Sequence, residues 1–304
     1  MVQQPQIVAH GSTDVGRQRE RNEDAFFVGK LLRTMYVQQT NVGEQHATLL
    51  TAGSEGWLFI VADGMGGQGS GDIASRSAVV AVTDYLCKAM PWSVKDANRR
   101  DPADSVPGMR EQLVGAVSVG ESTVRQAATN PNVSARMGTT LTLAFVLWPN
   151  LYTAHVGDSR CYLWRRGQLS RLTKDHTVAE RLVDEGLAGF DPSPRWNHIL
   201  WNALGGDNAQ AQPEVSRIEL NLDDQILLCS DGLTGNLDDR ELLRILDAGA
   251  SVEHACQWLI SAANEAGGDD NITAIVARFA ATPSIQRARK AEAVGDSTAP
   301  TVLA

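Results

Sequence analysis

Residues 58–75 read "LFIVADGMGGQGSGDIAS", an apolar run that passes through glycines into the opening of a helix. Two chemistries use such a loop, a nucleotide cradle and a metal site. The glycines at 64, 66 and 69 satisfy G-x-G-x-x-G in the strand-to-helix setting of a dinucleotide site. That site also needs an acidic residue about twenty positions on, at the end of a second strand, to reach a ribose. Asp84 has the spacing, but it lies inside the helical "AVTDYLCKAM" and is followed by a polar loop. Asp63, directly before the first glycine, would face the pyrophosphate that a helix N-terminus is meant to admit. An EF-hand calcium loop fails too, because Met65 stands where the third position needs an oxygen ligand. What remains is a carboxylate at a strand end, followed by glycines whose bare backbone lets carbonyl oxygens and small ligands approach.

Acids of the same kind recur along the chain. Glu23 and Asp24 stand in "RERNEDAF", Asp158 in "AHVGDSR", Asp231 in "LLCSDGL", and Asp269 and Asp270 in "GGDDNIT". Each sits beside Gly, Ser or Asn at the edge of an apolar strand. One such acid reads as a turn former or helix cap. The set of them points to coordination of a hard cation by oxygen, as suits magnesium or manganese.

Composition agrees with an enzyme-sized globular chain of 304 residues, 43% apolar, with one large domain expected. A formal charge of -9 argues against nucleic acid as the main partner. Cys87, Cys161, Cys229 and Cys256 lie far apart in apolar surroundings, without C-x-x-C spacing, and read as buried free thiols of a reducing compartment. No leader-like N-terminus or bilayer-length apolar run is present, so the expectation is a cytoplasmic protein without membrane contact.

The pattern along the chain mixes periods. Residues 25–62 read as strands broken by a polar segment at 30–56, either a long hairpin or an extended loop. A helix opens at Gly71 with Asp72 as cap; Ile73, Ala74, Val80 and Cys87 recur at helical spacing until Pro91 stops it. A second helix over 109–128 places Leu113, Val117, Val124 and Ala127 on one face. Leu141, Leu143, Phe145 and Leu147 then alternate as a strand, Pro149-Asn150 turns the chain, and "LYTAHVG" returns antiparallel. Further signals are a hairpin about Gly167, the strand "QILLCSDG", a capping box of Asp238 with Glu241, a helix carrying Val252, Cys256, Leu259 and Ala263, and a last strand after "GGDDN". Strands that follow one another without helices exclude a regular β-α-β rhythm. They favour an α+β fold of antiparallel sheets with helices packed outside.

These five acidic segments, in this order, resemble the metal-dependent protein serine/threonine phosphatases of the PP2C (PPM) family, bacterial type, from about His10 to Phe279. The resemblance implies a central sandwich of two antiparallel β-sheets flanked by α-helices on both outer faces, with two Mn²⁺ or Mg²⁺ ions in a cleft at one end. It implies that Asp63 bridges the two metals, that the Gly64 carbonyl binds one, and that Asp231 and Asp270 complete the other. Glu23 and Asp24 line the second metal, directly or through waters. Asp158 matches a third, weaker metal site, Arg19 the phosphate-binding arginine and Asn271 an asparagine beside the substrate phosphate. The implied reaction is hydrolysis of phosphoserine and phosphothreonine by a water bridging two divalent metals, with no protein nucleophile. Met65 stands where many eukaryotic members carry a histidine proposed as the proton donor, so the resemblance leaves a metal-bound water to serve as the acid, and Asn202 stands where an arginine is common. The region between His176 and Leu204 corresponds to a flap, in which Trp196 and Trp201 read as packing residues. His155 and His176 read as structural, and His198 carries no signal.

The expected partners are phosphoprotein substrates and an opposing serine/threonine kinase, with the chain acting as a monomer. The expected organisation is an N-terminal extension over 1–9, a phosphatase domain over 10–280 and a disordered tail over 281–304. The alternative is a catalytically silent PP2C-fold binding or regulatory module, which loss of Asp63, Asp231 or Asp270 would favour; all three are present. A metal-dependent nuclease is a second rival, made less suitable by the negative charge.

Overall fold

A computed structural model describes residues 5–36, 49–66, 69–89, 108–186, 194–206 and 210–281. In chain order its strands are β1 (Pro5–Asp14), β2 (Asp24–Tyr36), β3 (Leu49–Met65), β4 (Gly138–Thr139), β5 (Leu141–Leu147), β6 (Asn150–Val156), β7 (Arg160–Arg165), β8 (Gln168–Arg171), β9 (Leu204–Gly205), β10 (Glu214–Glu219), β11 (Gln225–Cys229) and β12 (Ile272–Ala281). The helices are α1 (Ser70–Ala89), α2 (Met109–Ala127), α3 (Val178–Asp184), α4 (Asp231–Thr234), α5 (Asp239–Asp247) and α6 (Val252–Ala266).

Alternation along the strands explains why two sheets stack with helices outside. On β3, Phe59 and Val61 point into the core between the sheets, while Leu58, Ile60 and Ala62 point toward α1 and α2. On β11, Ile226 and Leu228 enter the same inter-sheet core, and Leu227 and Cys229 face α4, α5 and α6. Strands buried on both faces need a partner layer on each side. The result is helix, sheet, sheet, helix. One sheet runs β1-β12-β11-β7-β8, and the other runs β10-β6-β5-β3-β4-β9 with β2 also paired to β3. All described pairings are antiparallel.

The segment at 30–56 resolves into the hairpin alternative. β2 pairs with β3 from Asp24↔Asp63 out to Tyr36↔Leu49, with one register shift between Leu31 and Arg33. Residues 37–48, Pro91 and the tail from 282 lie outside the described residues. The turn about Gly167 has left-handed backbone at Arg166 and Gly167, the type I′ geometry that suits a two-residue hairpin. The Asp238–Glu241 capping box is present at α5.

Several expectations need correction. Residues 5–9 are the first half of β1, paired with β12 from Pro5↔Ala281, so they are part of the sheet and not an extension. On α1 the inward stripe is Ala74, Ala78, Val82 and Leu86, whereas Ile73, Val80 and Cys87 share the outward face. Two parallel apolar stripes lie on this helix, and the small residues of one let it sit close to β3. The helix begins at Ser70, which puts Asp72 in its first turn, paired with Arg76, and not at the cap. Cys87 is therefore an exposed thiol, unlike the buried Cys161, Cys229 and Cys256, of which burial pushes the last two up to about 12.

Val82→Ala is expected to cost roughly 2 kcal/mol in denaturant unfolding, from lost burial and a cavity. Val80→Ala, two residues away on the solvent face, should stay within about 0.5 kcal/mol. Equal losses would overturn this assignment of the helix faces.

Candidate functional site

The carboxylates meet because strand ends converge at one end of the sandwich. Asp24 opens β2 and pairs with Asp63 near the end of β3. Asp231 is the first residue of α4, shortly after β11, and Asp270 stands two residues before the start of β12, the neighbour of β11. Asp158 lies in the turn between β6 and β7. Together with Arg19, Glu23, Gly64, Met65, Thr140 and Asn271, the residues Asp63, Asp158, Asp231 and Asp270 line a cleft of about 950 Å³.

Backbone contacts hold these ends in place, and here the glycines of the opening stretch find their use. Asp63 N–H donates to Thr140 Oγ1 at 2.9 Å, and its carbonyl accepts from Thr140 N–H at 2.9 Å. Gly64 N–H donates to the Glu23 carbonyl at 3.2 Å, and Ser75 Oγ of α1 donates to that same carbonyl at 2.6 Å. A Cβ on Gly64 would lie 2.1 Å from the Gly71 carbonyl oxygen, and one on Gly71 would lie 2.7 Å from that of Gly64. The helix start, the strand end and the Glu23 segment can pack this closely only as bare backbone. A Cβ on Gly232 would likewise lie 2.1 Å from the Asn271 carbonyl oxygen. Among the described residues of this loop, Gly64 and Gly71 are consumed by backbone on backbone and not by a dinucleotide cradle.

The electrostatics are those of crowded acids. Burial holds Asp63 well above the usual carboxylate range, reinforced by Asp24, Asp231 and Asp158. Burial also raises Asp158 and Asp231. Asp63 and Asp231 lie close enough for each to perturb the ionisation of the other. Asp231 Oδ1 is buried with no hydrogen-bond partner. Carboxylate and carbonyl oxygens, with one carboxylate oxygen orphaned, fit a hard divalent cation. Among the described residues no three or more His, Cys, Asp or Glu side chains are grouped so as to hold a metal ion by themselves. The donor set is thus an open one, to be completed by backbone carbonyl and water.

One expected site residue lies elsewhere, and two line the cleft with their polar groups already engaged. Asp24 does not line the cleft: it is buried beneath, with Oδ2 accepting from Thr273 Oγ1 at 2.6 Å and Ser230 Oγ at 2.7 Å, and with Oδ1 unpartnered. Burial pushes its carboxyl up to about 7 against those two hydrogen bonds. Asn271 lines the cleft, yet its amide is spent: Nδ2 donates to the carbonyls of Val15 and Arg21, each at 2.9 Å, and Oδ1 accepts from Glu23 N–H at 2.8 Å. It clips the 15–23 segment to β12 and does not reach toward a phosphate. Arg19 stands at the rim with one guanidinium nitrogen 2.7 Å from Asp270 Oδ2, so the two residues assigned to phosphate and to metal hold each other.

The histidines divide. His155 Nε2–H donates to the Lys174 carbonyl at 2.9 Å, with Nδ1 2.9 Å from Thr142 Oγ1, and burial takes the ring down to about 3. His176 Nδ1 accepts from Gly157 N–H at 3.1 Å and from Asn202 Nδ2 at 2.9 Å. Both are neutral structural rings, and Trp201 packs on His176 with ring centroids 4.9 Å apart. His198, in contrast, lines the cleft with Ile199 and Leu200. Sequence reasoning missed it because the flap carries no periodic pattern that would orient it.

The sequence profile described as Protein phosphatase 2C matches residues 38–277. The serine/threonine protein phosphatase PstP of Mycobacterium tuberculosis is 34% identical over 227 residues, covering 72% of this chain and 40% of that protein. The serine/threonine phosphatase stp of Listeria welshimeri is 33% identical over 223 residues, covering 72% of this chain and 83% of that protein. The crystal structure of the M. tuberculosis phosphatase PstP/Ppp superposes with a TM-score of 0.68 at 29% identity, covering 90% of this chain and 99% of that one. The catalytic domain of PstP in complex with two manganese ions gives 0.66 at 30% identity, covering 90% and 98%. On the match of its sequence, its double-sheet architecture and the acids at the end of the sandwich, this chain belongs to the protein phosphatase 2C family.

Proposed function

We propose that this chain is a phosphoprotein phosphatase that hydrolyses phosphoserine and phosphothreonine with two Mn²⁺ or Mg²⁺ ions. The observation that carries the reading is the nest of buried aspartates, with Asp231 Oδ1 unpartnered, opening into a cleft with an arginine at its rim. Asp63, the Gly64 carbonyl, Asp231 and Asp270 would hold the paired cations with Glu23 beside them, and Asp158 a third, weaker one. Bound cations supply an acidified water, an oriented phosphate and neutralised charge for an in-line displacement. Asp24 acts from below, by holding Ser230 and Thr273 at the ends of β11 and β12. Arg19, once released from Asp270, can fork two hydrogen bonds to phosphate oxygens. The setting we propose is a cytoplasmic monomer acting on phosphoproteins made by an opposing kinase, without nucleic acid as partner. Among the described residues no helix is long and apolar enough to cross a membrane.

Purified protein should release phosphate from a phosphothreonine peptide with Mn²⁺ or Mg²⁺ and stop with chelator. Asp231→Asn should lower kcat by about a hundredfold or more, the loss of several kcal/mol of charge stabilisation. Well-folded protein inactive on several phosphopeptides with either metal would reject the enzyme reading.

Thermal melting offers a readout that needs no turnover. Mn²⁺ should raise Tm with concentration, as binding to the folded state alone requires. Asp231→Asn should melt higher than wild type without metal, since one member of a repelling buried set is gone, and should lose most of the Mn²⁺-induced rise.

Arg19→Lys keeps the charge and loses the fork. We expect kcat/KM to fall roughly ten- to hundredfold, from about 1.5–3 kcal/mol of charged hydrogen bonding. Unchanged kinetics would remove Arg19 from phosphate binding.

A further inference from the structure

Hydrolysis of a serine or threonine phosphate expels an alkoxide, a poor leaving group unless a proton reaches it during P–O cleavage. On the phosphatase reading, which this inference rests on, the cleft must hold a donor for that proton. Its lining narrows the choice. Guanidinium groups such as Arg19 and Arg21 do not give up protons in proteins, and the Met65 thioether has none. On that reading Glu23, Asp63, Asp158, Asp231 and Asp270 would be engaged as cation ligands, which leaves Glu20 as the other lining carboxylate, and the Asn271 amide is hydrogen bonded through both Oδ1 and Nδ2. The one imidazole among the described lining residues is His198, and imidazole is the side chain used most often for such transfers.

His198 is placed by the fold and not left to a free loop. It ends the single 3-10 turn Pro194–His198, and the three residues after it are pinned one by one. The Ile199 carbonyl accepts from Val178 N–H at 2.8 Å, Leu200 forms a bridge with Thr177, and Trp201 N–H donates to the His176 carbonyl at 3.0 Å. His176 N–H in turn donates to the carbonyl of Gly157, at 2.8 Å, next to Asp158. Buried Asn202 adds a second anchor, exchanging hydrogen bonds with the backbone of Gln212 at 2.8 and 3.0 Å. The flap segment is thereby registered to the loop that carries one of the acids. His198 itself is exposed, on the open side of the cleft whose lining it shares with Asp231. A phosphate drawn toward cations held by the carboxylates would leave its alcohol oxygen on that open side.

We infer that His198 is the proton donor to the leaving serine or threonine oxygen, the part that Met65 cannot play. The bond from phosphorus to the side-chain oxygen breaks as the bond to the oxygen of the attacking water forms. The imidazolium N–H passes its proton to the departing oxygen, giving the free alcohol. The proton released by the attacking water passes to solvent, from which the ring is recharged. Alcohol and inorganic phosphate are the only products.

The test compares leaving groups. With saturating Mn²⁺, His198→Ala and His198→Gln should lower kcat on a phosphothreonine peptide by about a hundredfold, the lower end of what general acids contribute. On p-nitrophenyl phosphate, whose phenolate leaves without a proton, kcat should change less than about threefold by the same argument. Across a series of aryl phosphates the variants should depend more steeply on leaving-group acidity than wild type. Free imidazole should restore part of the peptide activity of His198→Gly. The Mn²⁺-induced rise in Tm should be unchanged in all variants, which separates proton donation from damage to the metal site. Equal losses on both substrates, or no loss on the peptide, would overturn the role of His198 alone. Wild-type protein that releases phosphate from neither substrate would overturn the phosphatase reading and this inference with it.

Discussion

Like charges placed where water barely reaches are the constraint on which the rest of this structure depends. Asp24 and Asp158 are buried, Asp63 and Asp231 are half-buried, and Asp24, Asp158 and Asp231 each raise the cost of ionising Asp63. Carboxylates in such surroundings are neutralised by protons or matched by cations. Everything around them keeps them from moving apart. Antiparallel β11 and β12 present Asp231 and Asp270 side by side, the β2–β3 pairing sets Asp24 across from Asp63, and bare glycine backbone lets α1 and α4 close in. An apolar sandwich core on both sides makes the separation costly, because a strand end cannot relax without disturbing the layers beneath it.

The flap and the turn before Asp158 are bound into the same frame by neutral polar groups. His155, His176 and Asn202 are buried, and their hydrogen bonds link β6, the loop after β8, the flap return and the approach to β10. Burial lowers both imidazoles, so neither adds charge beside the acids. A polar network of this sort, with only His176 Nε2 left without a hydrogen bond, specifies one arrangement where apolar packing alone would tolerate several. Arg160 and Arg171 do similar service at Asp175, pairing a nearby acid that would otherwise join the crowd.

How much of this was legible in the sequence follows from how local each cause is. Period-two alternation on β5, the acids at strand edges and the capping box are written in adjacent residues, and the family resemblance carried the sandwich and the cleft. Properties decided by a distant partner were not legible. The stripe Ile73, Val80 and Cys87 is as regular as the buried stripe of α1, and only the close approach to β3 selects between them. Asp24 and Glu23 are neighbours in "NED", yet strand alternation sends one beneath the floor and leaves the other in the cleft. Asn271 looks like a ligand residue until Val15 and Arg21, some 250 positions away, occupy its amide. Short elements such as β4, β9, β10 and α4 have too few residues to show a period.

The pairing of β1 with β12 has a consequence for how the molecule comes into being. β1 is an edge strand whose sheet partner is β12, which meets it from Pro5↔Ala281 to Asp14↔Ile272. Chains emerge N-terminus first and domains tend to fold as units, while contacts this distant in sequence form slowly. During synthesis β1 must therefore wait, its backbone groups unpaired within that sheet, until β12 has left the ribosome. Asp270 arrives only with that same strand, so the nascent chain carries its acids apart until the moment its two ends are zipped together.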